Sequence, residues 1–316
     1  MTAPSSLPGD LSNPAPRYVT MLSDSARWEG FAFRPDDIVI STPAKCGTTW
    51  TQMICAMLVI QTPLLPQPLD DYSPWLDMLT RKQADVFAQL DAQTHRRFIK
   101  THTPFDGLPH IECVTYICVG RDPRDVALST FNHRDNFDFE ALFTARNEAV
   151  GLDDIADALA AGPPVEPDTL DGKFWQWIDN NSPVTESGSS LRTLTNHVSS
   201  FWQHRNDPNV VMLHYDALQE DLEGAMRKLA AQLHIAVDET LWPALVKAAT
   251  FSEMRAQSAL LVPDSSHALW KSTDQFFNKG TSGQWQTMLN DQDRERYNAT
   301  IATLAEPDVI AWLHHT

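Results

Sequence analysis

The sequence predicts an α/β fold, a three-layer sandwich in which helices cover both faces of a central, mostly parallel sheet. Short β-branched runs alternate with helix-period stretches along most of the chain. A compact strand–loop–helix unit stands at 36–61. The chain is 316 residues long and 42% apolar, which suffices for a core beneath both faces.

The first strand is "DDIVI" (36–40), short and β-branched, as a buried parallel strand should be. The loop "STPAKCGTTW" (41–50) follows. Apolar residues at helical spacing then run through "TTWTQMICAMLVIQ", and the helix must stop before Pro63. "RRFIKTHTP" (96–104) is a second short strand ending at a turn, and "CVTYICVG" (113–120) is a third. In "RDPRDVALSTFNH", Asp122 is placed to cap a helix with Pro123 in its first turn. "NVVMLHY" (209–215) is a further strand, with a helix in "LEGAMRKLAAQLHI". Ligands of such sheets sit at the carboxyl ends of the strands.

The formal net charge is −17, which disfavours nucleic acid and anionic membrane surfaces as partners. Any polyanion must be met in a local cationic pocket. Cys46, Cys55, Cys113 and Cys118 form no Cys-x-x-Cys pair and no Cys/His cluster of metal-ligand spacing. Reduced thiols in a cytoplasmic protein, with no metal, are therefore expected. The start of the chain is neither basic nor apolar, so it is not read as a signal peptide, and residues 1–16 are expected to form a flexible arm. The longest apolar run, "ICAMLVI" (54–60), is too short to span a bilayer, so no integral membrane contact is expected. Residues 17–316 are read as one domain. Within it, 134–190 is acidic and irregular, with Phe137, Phe139, Phe174, Trp175 and Trp177 set among polar residues. It is either a surface insertion or a lid whose exposed aromatics shape an acceptor pocket.

Four stretches carry chemistry. In "PAKCGTTW", Gly47 permits a sharp turn, Thr48 and Thr49 offer hydroxyls and N–H groups at a helix start, and Lys45 adds a full charge. This makes the sandwich P-loop-like. An ATP-type loop, however, would need an earlier glycine and a lysine after Gly47, with a Ser/Thr to hold Mg²⁺. A Gly-Thr-Thr turn alone is equally an ordinary helix start. In "FIKTHTP", Lys100 and His102 share one face if the segment is extended, and a Lys beside a neutral His suits charge stabilisation with proton removal. In "VGRDPRDVALS", Arg121 leaves a buried strand and its planar fork suits phosphate, with Ser129 roughly two helical turns on. Arg124 and Asp125 are read as solvated charges at the helix start. "FFNKGTSGQW" (276–285) is a flexible loop that suits an anion, though such loops are common.

Together and in this order, the four stretches resemble the cytosolic-type sulfotransferases, whose sulfuryl donor is 3′-phosphoadenosine 5′-phosphosulfate (PAPS). "TPAKCGTTW" is similar to that family's 5′-phosphosulfate loop, "KTH" to its catalytic Lys-Thr-His, "GRDPRDVALS" to its 3′-phosphate segment and "FFNKGTSGQW" to its closing loop. The similarity runs from about residue 28 to the C-terminus and is strongest to actinobacterial members, among them mycobacterial glycolipid sulfotransferases. The resemblance implies that Lys45, Cys46, Gly47, Thr48 and Thr49 hold the 5′-phosphosulfate. It places Trp50 and Phe251 on the two faces of adenine, with Thr250 and Tyr215 nearby. Arg121, Ser129, Asn278, Lys279 and Gly280 fall at the 3′-phosphate. His102 is the implied base, with Lys45 and Lys100 beside the transferring group. The resemblance implies an acceptor hydroxyl on a small molecule or a glycolipid.

Several positions depart from the family. Pro43 and Ala44 replace Tyr-Pro, Cys46 replaces Ser, Asn278 stands where Arg is usual, and Ala249 stands where Thr often contacts the nucleoside. In "QTMLNDQDRE" only Glu295 fits the family's dimer motif, so a monomer or a different dimer is expected. Beside Lys45 at a helix start, Cys46 is either a reactive thiol or a buried replacement for Ser. The rival readings are a P-loop small-molecule kinase and a nucleotide-binding protein without catalysis.

Overall fold

The computed structural model describes residues 15–162, 165–262, 269–277 and 280–316. Its centre is a parallel sheet of β1 (Ile38–Ser41), β2 (Phe98–Thr101), β3 (Thr115–Gly120) and β4 (Val210–His214), ordered β2-β1-β3-β4. All four fall on the runs read as strands. Ile40 pairs with Lys100 on one side and Ile117 on the other, and Ser41 pairs with Thr101.

The strands read as mostly apolar runs because both faces are covered, with the polar Ser41, Lys100, Thr101 and His214 at or near their carboxyl ends. Ile38, Ile40, Phe98, Ile117 and Val211 face one layer, where Met53, Ile54 and Met57 of helix Thr48–Ile60 pack with helices Leu222–Gln232 and Trp242–Ala248. The intervening Val39, Ile99, Tyr116, Cys118 and Val210 face the other layer, against Val86 and Leu90 of helix Gln83–Ala92 and Phe201 of helix Leu191–Trp202. Each fully buried side chain of this size contributes about 1.5–3 kcal/mol, so the alternation fixes which way every strand faces.

From β1 the chain crosses to β2 on one side, then returns to lay β3 on the other. The crevice outside the carboxyl ends of β1 and β3 is thus the switch point at which α/β sheets bind ligands. The loop after β1 and Arg121 after β3 both open there. Helix Pro123–Asp135 starts as expected: Asp122 caps it, accepting from the Arg124 N–H at 2.9 Å, and Pro123 occupies its first turn.

Segment 134–190 forms helices Phe139–Ala149, Ala156–Ala161 and Leu170–Ile178. The expectation of exposed aromatics fails for most of them. Phe174, Trp175 and Trp177 are buried against Val126, Ala127 and the helix Leu191–Trp202. Helix Leu170–Ile178 is amphipathic, so its aromatics point inward although their sequence neighbours are polar. Phe137 is buried as well, leaving Phe139 exposed. Of the arm expected at 1–16, residues 1–14 lie outside the described residues, and Arg17 just after it pairs with Asp24.

Candidate active site

A cavity of about 950 Å³ lies across the carboxyl ends of β1, β2 and β3. Lys45, Gly47, Thr48, Thr49, Trp50, Lys100, His102, Arg121, Ser129, Tyr215, Phe251 and Gly280 all line it. Residues separated by more than 200 positions therefore meet at one place.

The loop after β1 is shaped by two residues with left-handed backbone, Lys45 at φ 68° and Gly47 at φ 99°. Gly47 is required twice over, because a Cβ there would also stand 3.0 Å from the Tyr215 ring. The Thr42 and Thr48 hydroxyls lie 2.5 Å apart and tie the loop's two ends. Lys45 Nζ lies 2.9 Å from His133 Nδ1. Burial, with Arg121 and Lys100 nearby, lowers the Lys45 ammonium to about 7. An anion is the natural remedy for three such cations, in a chain whose overall charge is strongly negative. Among the described residues, Glu186 is the only carboxylate side chain lining the cavity.

His102 follows β2. Its Nδ1 lies 2.7 Å from the Thr42 carbonyl oxygen. A carbonyl only accepts, so Nδ1 carries the proton and Nε2 holds the lone pair. Burial and the Lys100 ammonium lower this imidazole to about 3, against the pull of the Thr42 carbonyl. It is therefore neutral, as a base must be. Lys100 is buried, its ammonium 4.4 Å from the centre of the Trp75 ring, which also meets the His102 ring edge-on at 4.7 Å.

Arg121 is 6% exposed and stacks on Tyr215 at 4.1 Å. It donates to the carbonyls of Lys45 at 3.1 Å and Thr281 at 3.2 Å, joining the two loops. Its Nε is buried with no hydrogen-bond partner among the described residues, which is costly unless a ligand accepts from it. With Ser129 on the same wall, Arg121 fits a phosphate. Trp50 donates to the Ala249 carbonyl at 2.8 Å and meets Tyr215 edge-on. Gly280 lies so close to Phe251 that a Cβ would come within 2.4 Å of the ring.

Three expectations need amendment. The Cys46 side chain does not face the cavity. It is fully buried beside Val126 and Ala127, and burial pushes its thiol up to about 12, overriding Lys45 and Arg121. Thr250 lies outside the cavity wall, where its hydroxyl caps helix Phe251–Ala256. Arg124 and Asp125 are buried, not solvated. Arg124 lies between Asp122 and the Trp285 ring, and Asp125 accepts from the N–H groups of Gly283 at 2.7 Å and Gln284 at 3.0 Å, fixing the closing loop. Asn278 and Lys279 lie outside the described residues. His133, His197 and Trp75, which the sequence did not single out, also line the cavity.

The sulfotransferase domain model matches residues 35–308. This chain is a sulfotransferase. A glycolipid sulfotransferase of Mycobacterium tuberculosis is 38% identical over 310 residues, covering 94% of this chain and 93% of its own. One from Mycobacterium bovis is 37% identical over 311 residues, with the same coverage. The sulfotransferase also shares its fold with a mouse sulfotransferase solved with PAP, at TM-score 0.64 and 20% identity, covering 91% of each chain. Membership decides against the kinase, and the donor of this sulfotransferase is PAPS. Among the described residues, no helix of the sulfotransferase is long and apolar enough to cross a membrane.

Proposed function

We propose that the enzyme moves the sulfuryl group of PAPS to a hydroxyl of a small molecule or glycolipid, with His102 as general base. The observation that carries this reading is the commitment of His102 Nδ1 to the Thr42 carbonyl, which leaves Nε2 unprotonated on the cavity wall beside Lys100. His102 Nε2 takes the acceptor's proton as the acceptor oxygen forms its bond to sulfur. The bond from sulfur to the bridging phosphate oxygen breaks in line, giving a sulfate ester and adenosine 3′,5′-bisphosphate. Lys45 and Lys100 face the negative charge that gathers on the bridging oxygen. Arg121 and Ser129, with Lys279, Gly280 and Asn278, hold the 3′-phosphate. Trp50, Tyr215 and Phe251 hold the nucleoside, with Thr250 capping the helix that carries Phe251. Lysines supply the positive charge, so no metal is needed.

The acceptor side supports a partly apolar molecule. Beyond His102 the cavity is walled by Met21, Trp75, Phe137, Phe139, Leu142 and Trp177. Its size leaves room for a lipid-bearing acceptor beside the donor. The names of the two mycobacterial relatives agree with a glycolipid. Residues 134–190 are then the acceptor-side lid of a single domain at 17–316. The degraded dimer motif supports a monomer or a different dimer, and four unpaired cysteines suit the cytoplasm.

The test is transfer of labelled sulfate from PAPS to a panel of glycolipids, sterols, phenols and aliphatic alcohols. Labelled glycolipid is the expected product. Turnover of small phenols alone would overturn the acceptor assignment. Tight nucleotide binding with no transfer to any acceptor would make this a binding protein without catalysis.

A further inference from the structure

Asp77 is fully buried behind the catalytic strand. Its Oδ2 accepts from the hydroxyls of Thr101 and Thr103, each at 2.6 Å, and from Trp28 Nε1 at 3.1 Å. Its Oδ1 accepts from Trp75 Nε1 at 2.6 Å. An isolated buried carboxylate is costly, and four donors offset that cost. The choice of donors is informative. Thr101 and Thr103 bracket His102, and on an extended chain alternate residues point to opposite sides. Asp77 thus grips the rear of the segment whose front presents Lys100 and His102. Trp75 packs on that front against both of them. The main chain repeats the arrangement: Lys100 N–H donates to the Pro74 carbonyl and Leu76 N–H to the Lys100 carbonyl, each at 3.1 Å.

We propose that Asp77 is a positioning residue for sulfuryl transfer, fixing Lys100 and His102 through Trp75, Thr101 and Thr103. The inference rests on the roles given above to those two residues. Two of the four donors are indole N–H groups, which cannot accept, so an amide in place of the carboxylate turns an N–H₂ toward at least one donor. Asp77→Asn keeps the shape and breaks the grip.

The experiment measures turnover, acceptor KM, and affinity for adenosine 3′,5′-bisphosphate in Asp77→Asn, Thr103→Val and His102→Ala. Misplacement by a fraction of an ångström predicts an Asp77→Asn kcat lower by about 10–100-fold. Nucleotide affinity should fall by much less than turnover, because the donor loop is also held by the Thr42–Thr48 hydroxyl pair and by Arg121 on the Lys45 carbonyl. Thr103→Val, which removes one donor of the four, should show a smaller loss with the same split. Parallel losses of turnover and nucleotide affinity would reduce Asp77 to a general support of the fold. Turnover within about twofold of wild type in both variants overturns the proposal, while the function stands if His102→Ala is inactive. If Asp77→Asn does not fold, Thr103→Val decides alone. An active His102→Ala would sink the catalytic assignment itself.

Discussion

His102 Nδ1 and the carbonyl oxygen of Thr42 are 2.7 Å apart, joining the residue after β2 to the loop after β1. This contact leaves Nε2 as the ring nitrogen with the lone pair, and it ties the proposed base to the loop proposed to hold the donor. His102→Ala should lose about 10²–10⁴-fold in turnover, with nucleotide affinity nearly intact. A variant that keeps a tenth of wild-type turnover removes His102 from the role of base. Since burial and Lys100 hold the ring neutral, kcat at saturating PAPS should stay flat as pH falls through 6.5. A group with a lowered pKa charges only nearer 3.

In the proposed binding mode Arg121 offers the 3′-phosphate its fork and its Nε, which has no partner among the described residues. Arg121→Ala should weaken PAPS binding by roughly 10–100-fold, as loss of a charge-assisted hydrogen bond does. Adenosine 5′-phosphosulfate, which lacks the 3′-phosphate, should bind the variant and wild type nearly alike. Calorimetric titrations with both nucleotides settle it, and equal weakening toward the two would assign Arg121 to loop anchoring instead.

Lys45 is lowered to about 7 by burial and by its neighbours Arg121 and Lys100, with His133 on its amine. Above that pH the free protein holds the amine neutral. An arriving polyanion raises the pKa again, so binding near pH 8 should draw in a proton and affinity should decline as pH climbs past 7. Titrations in two buffers of different ionisation heat measure the uptake, which Lys45→Met should abolish. Identical heats in both buffers would contradict it.

The Cys46 thiol is sealed between helices and held protonated. Iodoacetamide should alkylate exposed Cys113 first, and activity should survive that labelling. Peptide mapping with a parallel assay checks this. Rapid loss of activity in wild type but not in Cys46→Ser would show the thiol to be reachable after all.

If Lys45 and Lys100 supply the positive charge at the transferring group, as proposed, chelators should leave transfer unchanged. Activity that vanishes in EDTA and returns with Mg²⁺ would require a metal in the reaction.

The four strands were legible because strands buried on both faces are mostly apolar, as Ile38–Ile40 and Tyr116–Val119 are. The donor loop, the Lys-Thr-His segment and Arg121 were legible because their chemistry is local. Other parts depend on three-dimensional neighbours. Trp175 reads as exposed beside Lys173 and Gln176 until the helix turns it inward. Cys46 reads equally as a thiol activated at a helix start or as a buried replacement for Ser, and only its burial decides between them. Asp77 and Trp75 lie in a stretch with no motif, and their importance arises only where segment 74–78 pairs with β2. His133 and His197 sit on helix faces whose spacing reads the same whether they face solvent or a cavity.

The left-handed backbone at Lys45 and Gly47 has a consequence for how the donor is received. A non-glycine residue in that region costs about 1–3 kcal/mol, which the rest of the fold must offset. The bend is therefore made when the protein folds, before any nucleotide arrives. In the proposed binding mode the incoming anion meets amide groups that folding has already turned, and it does not have to freeze a mobile loop. Selectivity then rests on shape, for a phosphosulfate is held only if it matches a curvature that the chain will not readily change.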